Sequence, residues 1–333
     1  MLEREMLLGW ATDDLAVLDP LAPGLIARVL TSSPKARQAI FSVLAARYLA
    51  ARDRSGIAGV QVADDANLAF ILCEGRPREV LQLAFGHVPD GWLGALERLG
   101  GRLLTDAMSY ERLRAVFFDP KRRGEAVTMR HVGPITENLI RVAATLDRRW
   151  LHSEALGRLP TPAAAYDFNH AIAFAQAVCS RATDEAVVAA IARLPPCASL
   201  SVVVTRFVRR ADRFPEHPIA LDEEMRPLNS VRDFVDAARR YRNCLVSEKL
   251  DEALAGQVAF AEFRATCIVE FRPLTLGRGW LLHDVHVARN GFVNSELAEA
   301  ARSKCTALGI PSMEQRDKGE SWRRYRRFVR DGV

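Results

Sequence analysis

Cys244, His283, His286 and Asn290 are the residues of this 333-residue chain whose types and order allow covalent chemistry. A cysteine at a helix end, a histidine on a nearby strand and an orienting amide make a thiol nucleophile with its base, the equipment of a cysteine-dependent hydrolase or transferase. A plainer reading makes Cys244 a small packed side chain and Asn290 a turn former ahead of Gly291. His283, Asp284 and His286, joined by Cys267 or Glu270, raise a metal site, but no zinc-ligand spacing accompanies them and no metal is assigned. Glu270 interrupts the apolar run Ile268-Val269-Glu270-Phe271. Strand alternation turns it to solvent; the other arrangement pairs it with Arg242 or Arg264 as a polar pin beside the loop carrying Cys244.

A second constellation is electrostatic. From Ser321 to Arg330, five arginines (Arg323, Arg324, Arg326, Arg327, Arg330) interleave with Trp322, Tyr325 and Phe328. At helical spacing the arginines form one face, able to neutralise phosphates, and exposed aromatics can stack on unpaired bases. The alternative is an amphipathic helix with its aromatics docked on its own domain and its arginines solvated. Arg316 to Lys318 and Lys121-Arg122-Arg123 add basic surface, whereas Arg206, Arg209, Arg210 and Arg213 have Asp212 and Glu216 beside them for pairing.

The elements that must position these groups are set by side-chain rhythm. Up to about Pro195 apolar residues recur at three and four with Pro and Gly between segments, which predicts an all-α region over 1–195, a bundle or irregular array without a fixed repeat. Ser33-Pro34 is a helix start, and helices are expected over Arg78–Phe85, Gly91–Leu99, Tyr110–Phe118, Ile135–Trp150, Pro162–Ser180 and Asp184–Leu194. Leu200–Val208 offers a β-branched run inside a linker or junction at 196–227. Helices come next from Ser230 to Tyr241 and over Glu248–Ala255, the period falls toward 2 over Val258–Arg264, Thr266–Phe271 and Gly279–Val287, and Ser295–Leu308 returns to helix. The expected class is α+β: helical region, then a domain over 228–312 with a three-stranded antiparallel sheet packed by helices, then a basic helix over 313–333.

Composition bounds the rest. A hydrophobic fraction of 49% with 26% charged residues is that of a globular chain, and apolar runs such as Ala186–Ile191 are far short of the ~20 residues of a membrane-spanning helix. Met1–Trp10 lacks the basic start and long apolar middle of a secretory signal, so the expected location is cytoplasmic with no membrane partner. Six cysteines stand singly without a CxxC pair and read as reduced thiols. Gly277-Arg278-Gly279 is a turn between strands without the helix that completes a phosphate cradle, so no nucleotide cofactor is expected.

Over Pro218 to Ile310 the order of Leu228-Asn229-Ser230, Asn243-Cys244-Leu245, Gly256, Ile268-Val269-Glu270-Phe271, Gly279-Trp280 and Arg289-Asn290 resembles the PcfJ-like family of bacterial mobile-element proteins. The chain departs from that pattern at Asn243, where the family commonly carries histidine, and near His283-Asp284, where it carries glutamine. The resemblance implies association with conjugative or other mobile elements. The leading expectation is therefore a non-enzymatic accessory protein that meets nucleic acid through its basic aromatic C-terminal segment and a protein partner of the mobile element through its helical region. A Cys244-dependent enzyme and a structural or oligomeric adaptor are the alternatives.

Overall fold

The computed structural model describes residues 8–52, 64–274 and 277–312. They gather into two compact units, one formed by the chain up to Ala173 with Thr183–Val203, the other by Phe174–Ala182 with the chain from Val204 onward. No helix among the described residues is long and apolar enough to cross a membrane.

The described chain up to Ala192 is helical: α1 (Thr12–Leu18), α2 (Leu25–Thr31), α3 (Pro34–Ala50), α4 (Asp65–Glu74), α5 (Pro77–Phe85), α6 (Trp92–Arg98), α7 (Ala107–Phe118), α8 (Arg123–His131), α9 (Glu137–Thr145), α10 (Ser153–Leu156), α11 (Pro162–Val178), whose end from Phe174 belongs to the second unit, and α12 (Asp184–Ala192). Helix α3 starts as its sequence predicts, with Ser33 Oγ accepting from Ala36 N and Pro34 in the first turn, where a missing N–H costs nothing. Residues Gln38 to Ala46 are all buried, because α5, α6 and α7 pack around it. Such a helix is apolar on every side rather than striped. The helix expected over Ile135–Trp150 breaks at Leu146: α9 ends there and Asp147 caps a separate turn at Arg148–Trp150.

The junction expected at 196–227 holds two regular elements. Helix α13 (Ser201–Val208) replaces the β-branched run, because Leu200, Val203 and Phe207, spaced at three and four, are buried while Val202 is exposed. Strand β1 (Met225–Pro227) adds an edge to the sheet, making four strands where three were expected. Asp222 shapes the approach to β1, its Oδ1 accepting from Glu224 N at 2.9 Å and from Met225 N.

Helix α14 (Val231–Tyr241) comes next, capped by Ser230 Oγ on Asp233 N, then a π-helical turn (Leu245–Lys249), α15 (Leu250–Leu254), β2 (Ala259–Phe263), β3 (Cys267–Pro273), β4 (Trp280–His286) and α16 (Ser295–Ala307). The sheet is antiparallel in the order β1-β2-β3-β4. One face carries Ala261, Phe263, Cys267, Val269, Phe271 and Leu282 and packs with Ala301 and Cys305 of α16. The opposite face carries Phe260, Glu262, Ile268 and Glu270, with Phe234 of α14 edge-on to Phe260 at 5.8 Å. Both faces are covered, so all five residues of β2 are buried.

Between β2 and β3, Thr266 N bonds to Phe263 O at 2.9 Å, and Arg264 and Ala265 have φ of 47° and 53°. Positive φ at both central positions is the type I′ turn, whose twist matches a hairpin but which favours Asn and Gly. Arg264 is retained there by Glu224, at 2.7 Å from its Nε. Ala265 has no such compensation, so Ala265→Gly is expected to raise the free energy of unfolding by about 1 kcal/mol, read as a higher urea midpoint at unchanged slope.

Candidate functional site

The polar face of the sheet holds two carboxylates. Strand register sets Glu262, Ile268 and His286 in one row across the sheet, and Phe260, Glu270 and Asp284 in the next. Glu262 and Glu270 are therefore diagonal neighbours on adjacent strands, 4% and 3% exposed. Neither faces solvent, which corrects the expectation for Glu270: alternation chooses a face, but α14 packs over that face.

Each carboxylate is matched by donors. Glu262 accepts from Tyr241 Oη at 2.9 Å and from Arg240 Nη2 at 3.0 Å. Glu270 accepts from Arg272 Nε at 3.1 Å and lies 3.0 Å from His286 Nε2. Arg242 is not its partner. It closes α14 in the left-handed region, φ 49°, with its side chain exposed, and Arg264 belongs to Glu224.

These partners govern how the groups titrate. Burial alone would raise the Glu270 carboxyl, but its hydrogen bonds to His286 and Arg272 outweigh burial and hold it down at about 2. The same bond pushes His286 above its ordinary value, against the opposing effect of its own burial. Tyr241 is raised by burial and by its bond to Glu262, and remains a proton donor. Lys249, at 2.9 Å from Glu252 Oε2, is close enough for its charge to act on both Glu270 and His286.

Cys244 opens the π turn and is partly exposed, its carbonyl accepting from Glu248 N at 3.0 Å. Its thiol is held above the usual cysteine value, first by a hydrogen bond to Glu248, then by burial and the Glu248 charge. A nucleophilic cysteine needs positive surroundings that favour thiolate, and the acidic Glu248 opposes what the helix start at Cys244 supplies. His286 meanwhile spends Nε2 on Glu270 rather than on a sulfur.

His283 is displaced by a β-bulge. Glu270 pairs with Asp284 but Phe271 pairs with Leu282, so His283 has no partner opposite and is exposed. Cys267 lies on the other face, in the apolar core, its thiol pushed up to about 11 by burial. Among the described residues no three His, Cys, Asp or Glu side chains converge in a way that would hold a metal ion. Asn290 ends the short turn Ala288–Asn290, and its side chain lies outside the described residues. Trp322, Arg323, Arg324, Tyr325, Arg326, Arg327 and Arg330 lie outside them altogether.

Two residues that the sequence did not single out, Glu262 and His217, complete the module together with Arg289. Glu262 repeats the Glu-Phe step of Glu270-Phe271 in the preceding strand, a signal visible in the chain. His217, with its pKa lowered by burial, donates Nε2–H to Phe260 O at 2.9 Å and accepts Ile219 N–H at Nδ1, a neutral tautomer assigned from those partners. Arg289, φ 58°, lies in the turn after β4, and that turn packs against α14. Arg239, Arg242 and Arg289 are exposed and carry no ion pair among the described residues, whereas Arg240, Arg272 and His286 are anchored on the two buried carboxylates.

The Glu270–His286 pair has a pH signature. The depressed Glu270 contributes stability above its unfolded value of 4.5, lost as pH falls toward about 2. The raised His286 contributes fully below its unfolded value of 6.5, and the contribution fades as pH rises through the folded value. Glu270→Gln is expected to cost on the order of 3 kcal/mol, the scale of breaking a buried pair. In urea denaturation the gap between the two proteins should be widest from pH 4.5 to 6.5 and narrow on both sides. A gap independent of pH would show that the carboxylate charge is not what Glu270 supplies. Protein-family models, curated proteins and solved structures return no match to this chain, so the chemistry of the site rests on its own geometry.

Proposed function

We propose that the chain is a non-enzymatic accessory protein that contacts nucleic acid, of the kind the PcfJ-like resemblance implies, with the α+β module supplying part of the contact. The observation that carries the reading is the separation of cations into two classes. Arg240, Arg272 and His286 are held by Glu262 and Glu270, while Arg239, Arg242 and Arg289 stand at the surface without acidic partners among the described residues. Exposed guanidinium groups with no internal counter-ion suit phosphate oxygens, which they bind in forked pairs. Arg239 and Arg242 also sit at the C-terminal end of α14, where the helix dipole stabilises positive charge before any ligand arrives. The basic aromatic stretch 321–330 extends the same surface chemistry in this proposal, and the helical region is assigned to a protein partner.

The Cys244 enzyme reading draws less support, because Glu248 favours the protonated thiol. The test is binding of single- and double-stranded DNA and RNA at two salt concentrations, comparing the full chain, Arg239→Gln/Arg242→Gln/Arg289→Gln, and a chain ending at Gly319. Each phosphate left without its arginine should flatten the slope of log affinity on log salt by about 0.9 for duplex DNA and about 0.7 for single strands. By that measure the triple variant is expected to neutralise about two to three fewer phosphates than the full chain. No measurable binding, or a slope unchanged in both variants, rejects the proposal.

A further inference from the structure

The helical unit contains a cavity of about 420 Å³ between the start of the described chain, α2, α3 and the loop 100–105. That volume is within the range of small-molecule sites. Trp10, Leu30, Phe41 and Leu103 supply apolar wall, and Arg37 and Arg102 supply charge.

The wall is tied in place rather than merely left unfilled. Arg37 donates to Gly101 O at 2.7 Å, Leu30 O at 2.7 Å and Ser32 O at 3.1 Å. Gln38 donates to Gly100 O at 2.9 Å and Arg102 O at 2.6 Å, while its own oxygen accepts from Tyr110 Oη at 2.7 Å. Trp10 Nε1 donates to Leu104 O at 2.9 Å. Four carbonyls of one short loop are thus taken up by side chains from elsewhere, and this prevents the collapse by which an ordinary packing void shrinks.

The charge is uncompensated. Every hydrogen bond of Arg37 is to a neutral carbonyl, and its Nε is buried without a partner among the described residues. Arg102 is exposed and has no ion pair among them. Two guanidinium groups beside an apolar wall, with no carboxylate supplied, are complementary to an anion that brings an apolar body.

We propose that this cavity binds a small carboxylate with an aliphatic or aromatic body, its carboxyl group toward Arg37 and Arg102 and its body against Trp10, Leu30 and Leu103. The probe is octanoate, with octanol as its neutral counterpart, titrated calorimetrically into the full chain. Octanoate is expected to bind at least about tenfold more tightly than octanol, the scale of one charge-assisted hydrogen bond. Arg37 variants would also free the three carbonyls it holds, so the charge is tested with Arg102→Gln. This exposed change should lower octanoate affinity about tenfold and leave octanol unaffected. Leu30→Trp, at a side chain already 39% exposed, should weaken both probes by narrowing the space. Absence of octanoate binding, equal binding of octanol, or indifference to both substitutions overturns the assignment.

Discussion

Two carboxylates sealed between a sheet and the helix that covers it set the terms for the C-terminal module. A lone buried carboxylate costs several kcal/mol, so Glu262 and Glu270 can be tolerated only if cations and hydroxyls come to them. The chain meets that demand with four side chains from three elements: Arg240 and Tyr241 from the last turn of α14, Arg272 from the same strand as Glu270, and His286 from the neighbouring strand. The end of α14 is thereby fixed over the sheet. The left-handed Arg242 and the π turn carrying Cys244, Glu248 and Lys249 continue directly from that end, so the same anchor sets their position.

The helical unit solves a related problem without charge neutralisation. Gln38, Tyr110 and the partly buried Arg37 bond to backbone carbonyls or to one another, and the chief beneficiary is the loop 100–104. Buried charges are the exceptions: Arg114, in a bidentate pair with Glu111 at 2.9 and 3.0 Å and beneath the rings of Phe85 and Phe118, and Glu125, paired with Arg122 and Arg148. Side-chain donors directed at an irregular segment do there what a strand ladder does in the other unit: they satisfy backbone that no regular element serves.

Much of the architecture was legible because rhythm survives in the chain. The helices around Ser33-Pro34 and Ser230, and the three longer strands, are signalled by caps and by the change of period after Gly256. Where prediction failed, tertiary context decided. Leu200–Val208 has strand-like residue types, yet helical spacing of its buried positions won. Met225–Pro227 is too short, and ends in too unstrandlike a residue, to announce itself; only pairing with β2 defines it. Glu270 was legible as a misfit but its burial was not, since burial depends on a helix thirty residues earlier in the chain folding over it. Of its true partners, Arg272 stands two residues on in the same strand, but His286 required the register of β4, and that register is altered by an irregularity no composition reveals.

That irregularity has an implication for how the chain tolerates change in length. Because His283 stands outside the ladder, Leu282 and Val285 both reach the apolar core while Asp284 and His286 both reach the opposite side. Excising His283 would join two stretches already in phase with each other, and loss of Asp284 would do the same with His283 in its place, whereas loss of Val285 would throw one side's contents onto the other. Strand β4 thus holds one dispensable link, and a homologue shorter by a single residue at that point would be able to keep every inward and outward assignment intact.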